Sequence, residues 1–218
     1  MLPPVPIVSP GLVSVDEYAA AGRNVMVDRP ACPACGGMVA WWAGYSRFVR
    51  SAGRARSIFV RRVRCRSCRT TTAVLPSFVA VGRLDAVDSI GVVVDAVIGG
   101  EAGVRPAAAA LDVPHTTARD WVRRFRSRAV VLAVAFAALV VELGGGPLRP
   151  IDDAATDARA AIAAAFGAAI GLPGWAPVGR WRFASSVCGG ALLTTNTNPP
   201  SMIVGNRRFM PPTPQEGA

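Results

Sequence analysis

Two short cysteine pairs constrain this chain more than any other feature. Cys32-Pro33-Ala34-Cys35 and Cys65-Arg66-Ser67-Cys68 are separated by 29 residues. Each pair can present two sulfurs from one tight turn, and two such knuckles close a tetrahedron around one Zn²⁺. Gly36 and Gly37 follow the first knuckle, where a backbone wrapping a metal often needs a positive φ. The same thiols could serve as redox groups or disulfides. A redox Cys-x-x-Cys normally occurs once, beside a βαβ pattern, and neither condition holds here. Disulfides belong to oxidising compartments. The proline-rich start lacks the basic and apolar segments of an export signal. The expectation is a cytoplasmic protein with a structural zinc ion on Cys32, Cys35, Cys65 and Cys68.

The surroundings of the second knuckle suggest a partner. Arg61, Arg62, Arg64, Arg66 and Arg69 crowd it, and from Arg29 to Arg83 there are eleven arginines and no acid. A second cluster, Arg119, Arg123, Arg124, Arg126 and Arg128, is opposed only by Asp120. All 24 basic residues are arginine and the net charge is +10. Patches of this kind attract polyanions, whether nucleic acid or anionic lipid. A membrane span is disfavoured. The most apolar run, Ala129 to Val141, has 13 residues, against about 20 needed to cross a bilayer.

Local signals divide the chain. Residues 1–28 read as an irregular start with one short helix. Ser14 and Glu17 form a capping box that opens the helix, and Gly22 closes it. Residues 29–78 read as a zinc ribbon. Val39–Arg50 and Ile58–Arg64 are strand-like, Ser51–Arg56 supplies their turn, and Thr70–Leu75 is a third strand ended by Pro76. So small a unit needs its metal to fold. Trp41, Trp42, Tyr45 and Phe48 either fill its thin core, as such residues more often do, or stack on bases.

Residues 84–128 read as three helices. The first, Leu84 to Ile98, buries Val87, Ile90, Val94 and Val97. The second and third form a helix-turn-helix over Arg105–Phe125. Ala108 allows close contact, Asp112 takes the left-handed turn position, and Val113 plugs the angle. Ala118, Trp121 and Val122 face inward, and Thr116 or Thr117 caps the third helix. Its outer face carries Arg119, Arg123 and Arg126, in the geometry that enters a major groove. Candidate DNA contacts are therefore His115, Thr116, Thr117, Arg119, Arg123, Arg124 and Arg126. Arg61, Arg62, Arg64 and Arg66 are weaker candidates for the DNA backbone. His115, the only histidine, suits a base contact or a capping role equally.

Residues 129–172 read as two apolar helices that pack on each other, on a second copy or on another protein. Residues 173–218 read as largely irregular, with Cys188 a buried small apolar residue. The fold class is α+β, mostly α.

The segments Cys32-Pro-Ala-Cys-Gly-Gly37, Arg61-Arg-Val-Arg-Cys-Arg-Ser-Cys68, Leu75-Pro-Ser-Phe78 and Val113-Pro-His-Thr-Thr-Ala-Arg-Asp-Trp-Val-Arg-Arg-Phe125 resemble an uncharacterised bacterial zinc-ribbon plus helix-turn-helix family. The tail Asn206–Pro212 also looks family-like. Members of that family are similar to the N-terminal DNA-binding parts of insertion-sequence transposases. The resemblance covers residues 30–128 and implies sequence-specific binding of double-stranded DNA, association with a mobile element and a transposase as partner. It supplies no catalytic activity. Two departures stand out. Thr71-Thr-Ala-Val-Leu-Pro76 lacks the histidine the family commonly has there, and Asp112 replaces the usual turn glycine. A transcriptional regulator would use the same elements. A transposase enzyme would need clustered carboxylates for two metal ions. After the helix-turn-helix the acids are only Glu142, Asp152, Asp153, Asp157 and Glu216.

Overall fold

The computed structural model describes residues 7–9, 14–150, 153–172 and 178–193. Among the described residues, four strands and six α-helices make an α+β fold. Among the described residues no helix is long and apolar enough to cross a membrane. The family-like tail Asn206–Pro212 lies outside the described residues.

The sheet is built on one long hairpin. Strand β2 spans Val39–Ser51 and β3 spans Arg54–Cys65, so the turn is only Ala52-Gly53, tighter than the expected Ser51–Arg56. Both turn residues have positive φ, 44° and 75°, which matches the twist of a two-residue hairpin. Strand β4, Thr71–Pro76, pairs antiparallel with β3. The start of the chain was expected to be irregular. Instead Ile7–Ser9 forms strand β1, parallel to β4, and the sheet order is β1-β4-β3-β2. Three residues carry no readable strand signal; the pairing comes from the open edge of β4.

The sheet buries both faces. On one, Val39, Val63, Cys65 and Val74 gather around Cys32. On the other, Val49, Ile58, Val60 and Leu75 pack against Tyr18, Val25 and Phe78. Helix α1, Val15–Ala21, supplies Tyr18 and carries the expected Ser14/Glu17 capping box. Tyr18 stacks edge-on to Phe78 and its hydroxyl donates to the Phe59 carbonyl at 3.3 Å.

The helical half has one core. Helices α2 (Val87–Ile98), α3 (Val104–Ala110), α4 (His115–Glu142), α5 (Ala154–Ala169) and α6 (Arg180–Val187) enclose Trp121, Phe125, Leu132, Phe136, Ile162 and Phe183. Helix α2 starts at Val87 rather than Leu84, because Asp85 is drawn off to pair with Arg50. The third helix of the sequence reading runs on as one 28-residue helix.

Within residues 173–218, read as largely irregular, the described part 178–193 contains helix α6; residues 173–177 and 194–218 lie outside the described residues. Trp181 lies flat over α2 at Gly91, where an added Cβ would come within 2.2 Å of its ring. Its indole N–H donates to Asp95 at 2.7 Å, Arg180 bonds the same carboxylate, and Arg182 pairs with Asp88 at 2.7 Å. Tertiary contacts hold this eight-residue segment helical, since an isolated helix of that length is unstable. Cys188 is buried there, as expected, and burial pushes its thiol up to about 12.

Candidate metal centre and helix-turn-helix surface

The four cysteines converge. Their sulfurs all lie within 4.8 Å of one another, with Cys32–Cys68 at 3.6 Å and Cys35–Cys65 at 3.5 Å. Four sulfurs each about 2.3 Å from one centre would stand about 3.8 Å apart. The donor set and its spacing therefore fit one tetrahedral thiolate-bound ion.

The backbone explains the convergence. In the first knuckle the Cys32 N–H donates to Gly37 and the Gly36 N–H to Cys32. In the second the Cys65 N–H donates to Thr70, and the Arg66 N–H crosses to Met38, tying the knuckles together. The residue after each second cysteine is left-handed: Gly36 at φ 73° and Arg69 at φ 61°. Gly37 lets the loops close, because a Cβ there would meet Ser67 Oγ at 3.1 Å and Cys35 Sγ at 3.3 Å.

The thiols are unequal. The Thr70 hydroxyl, 3.3 Å away, and the Thr70 backbone N–H favour the Cys68 thiolate and bring it down to about 6. Hydrogen bonds from the backbones of Cys68 and Ser67 lower Cys65. At Cys35 the Gly37 backbone pulls down, but sulfur contacts with Cys65 and Cys68 outweigh it and push the thiol up to about 11. A cluster sharing protons in this way releases them when a cation binds.

At the α3–α4 turn the residues expected to build it fall where their residue types require. Val113 donates its N–H to Ala108, Asp112 sits at φ 50°, and Ala108, Val113, Ala118, Trp121 and Val122 are buried. The expected threonine cap is absent. Pro114 occupies the cap position with no side-chain bond, so Thr116 and Thr117 lie in the first turn of α4. His115 is the first residue of α4 and is half-buried. Arg119, Arg123 and Arg126 are exposed. Arg124 is not presented like them: its side chain is mostly buried against Asp120 at 2.6 Å, which Arg123 and Arg83 also approach.

On the ribbon only Arg66 of the four weaker candidates is fully exposed. Arg61 stacks on Trp41 and donates to the Arg23 carbonyl, while Arg64 stacks on Trp42 at 4.7 Å. The aromatics mostly do not fill the core. Trp41 packs on the knuckle core, but Trp42, Tyr45 and Phe48 are 59%, 42% and 62% exposed. A β-bulge between Trp41 and Ala43 is one cause. It breaks the alternation that would have turned Trp42 inward.

The β2–β3 hairpin touches the helices directly. The Arg50 backbone bonds Leu84 and Ala86, its guanidinium meets Asp85 at 2.6 Å, and the Ala52 N–H donates to Ser89 at 3.2 Å. Gly53 abuts the turn between α3 and α4, where an added Cβ would stand 2.9 Å from Asp112. Beside this junction an open recess of about 400 Å³ is lined by Arg50, Arg83, Asp85, Thr116, Thr117 and Asp120, among others.

A family model described as a domain of unknown function, DUF6431, matches residues 32–121. The match starts on the first cysteine and ends on Trp121, so it spans the four clustered cysteines, the hairpin, α2, α3 and the first two turns of α4. No curated protein and no solved structure matches the chain.

Proposed function

We propose that this chain is a non-catalytic, sequence-specific DNA-binding protein of a mobile element, built on a zinc-bound ribbon. The observation that carries the reading is the junction. The hairpin tip rests on the α3–α4 turn, which fixes the sheet beside the surface on which α4 exposes Arg119 and Arg123. A duplex offers both a phosphate track and base edges, and such a surface suits both.

The roles follow from exposure. Arg119 and Arg123 are the candidate base readers, since a guanidinium bonds guanine O6 and N7 together. Arg123 would exchange its 2.5 Å contact with Asp120 for the base edge. Thr116, at the exposed start of α4, and Arg66 on the ribbon suit phosphate contacts. Zinc is the ion favoured by four thiolates with tetrahedral spacing. A transposase is the partner the reading implies.

The test is selection of bound sequences from a random duplex pool, using the zinc-loaded chain. One recurrent motif is expected. Arg123→Ala should cost roughly 1–3 kcal/mol and relax a single position of that motif. Equal weakening on every duplex would contradict base reading. Binding confined to the chain's own promoter would make it a transcriptional regulator instead.

A further inference from the structure

Among the described residues, one side of the sheet is left uncovered next to the cysteine knuckles. Val60, Arg62 and Arg64 alternate along β3, so they share that side, and their partners across the ladder are Tyr45, Ala43 and Ala40. Tyr18 and Phe78 pack over the same side at Ile58 and Val60. Towards the cysteines this cover stops. Tyr45 is exposed and Arg62 and Arg64 are half-buried. The bulged Trp42 stands out from β2, with the Arg64 guanidinium 4.7 Å from its ring centre. Among the described residues no carboxylate pairs with Arg62 or Arg64, and the span from Arg29 to Arg83 contains no acid.

We propose that this patch binds the unpaired nucleotides of single-stranded nucleic acid. Flat rings set beside guanidinium groups match the two parts of a nucleotide: the base stacks on Trp42 or Tyr45, and the phosphate meets Arg62 or Arg64. A duplex does not suit the rings, because its base faces are hidden in the stack and only base edges reach the grooves. Spacing favours an opened strand as well. Trp42 and Tyr45 are three residues apart on β2, up to about 10 Å, whereas successive bases of a duplex rise about 3.4 Å. Each ring therefore takes its own base from a strand already pulled apart. An acidic peptide or an anionic lipid headgroup would satisfy the arginines but leave both rings without a flat partner. The inference goes beyond the duplex reading, since it needs neither α4 nor a particular base sequence.

The experiment titrates the full zinc-loaded chain with labelled oligothymidylate and oligouridylate of about 15 nucleotides, read by anisotropy and by quenching of tryptophan fluorescence. Binding of at least one oligomer, with quenching, is expected. An abasic strand of the same length keeps the phosphates, lacks the bases and should bind about tenfold more weakly. That comparison uses the unaltered chain, so it decides the matter even where a variant folds poorly. Trp42→Ala and Tyr45→Ala should each lose about tenfold, while Trp42→Phe keeps most of the affinity. Phe48→Ala is the control: Phe48 is exposed too, but it pairs with Ser57 and lies on the opposite side of the sheet, so it should change nothing. Trp42→Ala should also leave the selected duplex motif unaltered, so that failure here and failure of the duplex reading are told apart. Equal affinity for the abasic strand overturns the proposal. So does indifference to both Trp42→Ala and Tyr45→Ala, or capture by anionic vesicles with no binding of either oligomer.

Discussion

Replacing Arg50 by Met tests the junction that joins the two halves of the molecule. The Arg50 guanidinium lies 2.6 Å from an Asp85 carboxylate whose side chain is 6% exposed. Methionine keeps most of the packing and removes the charge. The Arg50 backbone bonds to Leu84 and Ala86 survive, so the loss is that of the ion pair. At an effective dielectric of about 20, two charges about 4 Å apart attract by about 4 kcal/mol. Arg50 is 21% exposed, so solvent already screens part of that. A cost of about 2–3 kcal/mol is expected, mostly the penalty of leaving Asp85 buried without its partner. Asp85→Leu with Arg50→Met removes both charges and should cost less than the sum of the single changes. Denaturant titrations of the four proteins supply the cycle. Arg50→Met should also weaken binding to all duplexes alike, because it loosens the platform and touches no base. A loss below about 0.5 kcal/mol, or strictly additive single changes, would refute the claim that this pair locks the junction.

Cys65→Ser, or chelation, should abolish 1:1 zinc binding and lower hydrogen-exchange protection around Cys32–Trp41 and Arg61–Thr72; residues 47–58, held by α1 and α2, should keep more of theirs. Arg69→Gly relieves a left-handed residue at φ 61° and should stabilise the zinc form by about 1 kcal/mol in denaturant titration. Asp120 should be a site of acid sensitivity. Burial pushes its carboxyl up, but hydrogen bonds from Arg124 and Arg123 outweigh that and hold it below the usual carboxylate range. Its stabilisation is therefore present above the unfolded value near 4 and lost as pH falls through the lower folded value. Asp120→Asn should flatten that part of the acid limb, measured by thermal melts from neutral to acid pH.

What could be read from the chain and what could not separate along a physical line. Cys32, Cys35, Cys65 and Cys68, the Ser14/Glu17 box and the Ala108–Asp112–Val113 turn are local: their function depends on spacing of a few residues, which sequence displays. Strand β1 and helix α6 depend on partners far away. Ile7 needs Val74, and Trp181 needs the bare backbone of Gly91 and the carboxylate of Asp95. Nothing near either segment announces those partners. The exposed aromatics failed for a third reason. One bulge between Trp41 and Ala43 shifts the register, and alternation cannot foresee a bulge. On α4 the residue types were legible, but not that Asp120 would claim Arg124 while Arg119 stayed exposed.

The central claim is that a thiolate-bound ion and an arginine-faced helix jointly grip duplex DNA. The most direct measurement is the ratio of affinities for the selected duplex and a scrambled duplex of equal length at physiological ionic strength, with bound zinc counted on the same sample. The account predicts one zinc per chain and a ratio of about 10³ or more. A ratio near unity, or full affinity from a metal-free chain, would contradict it.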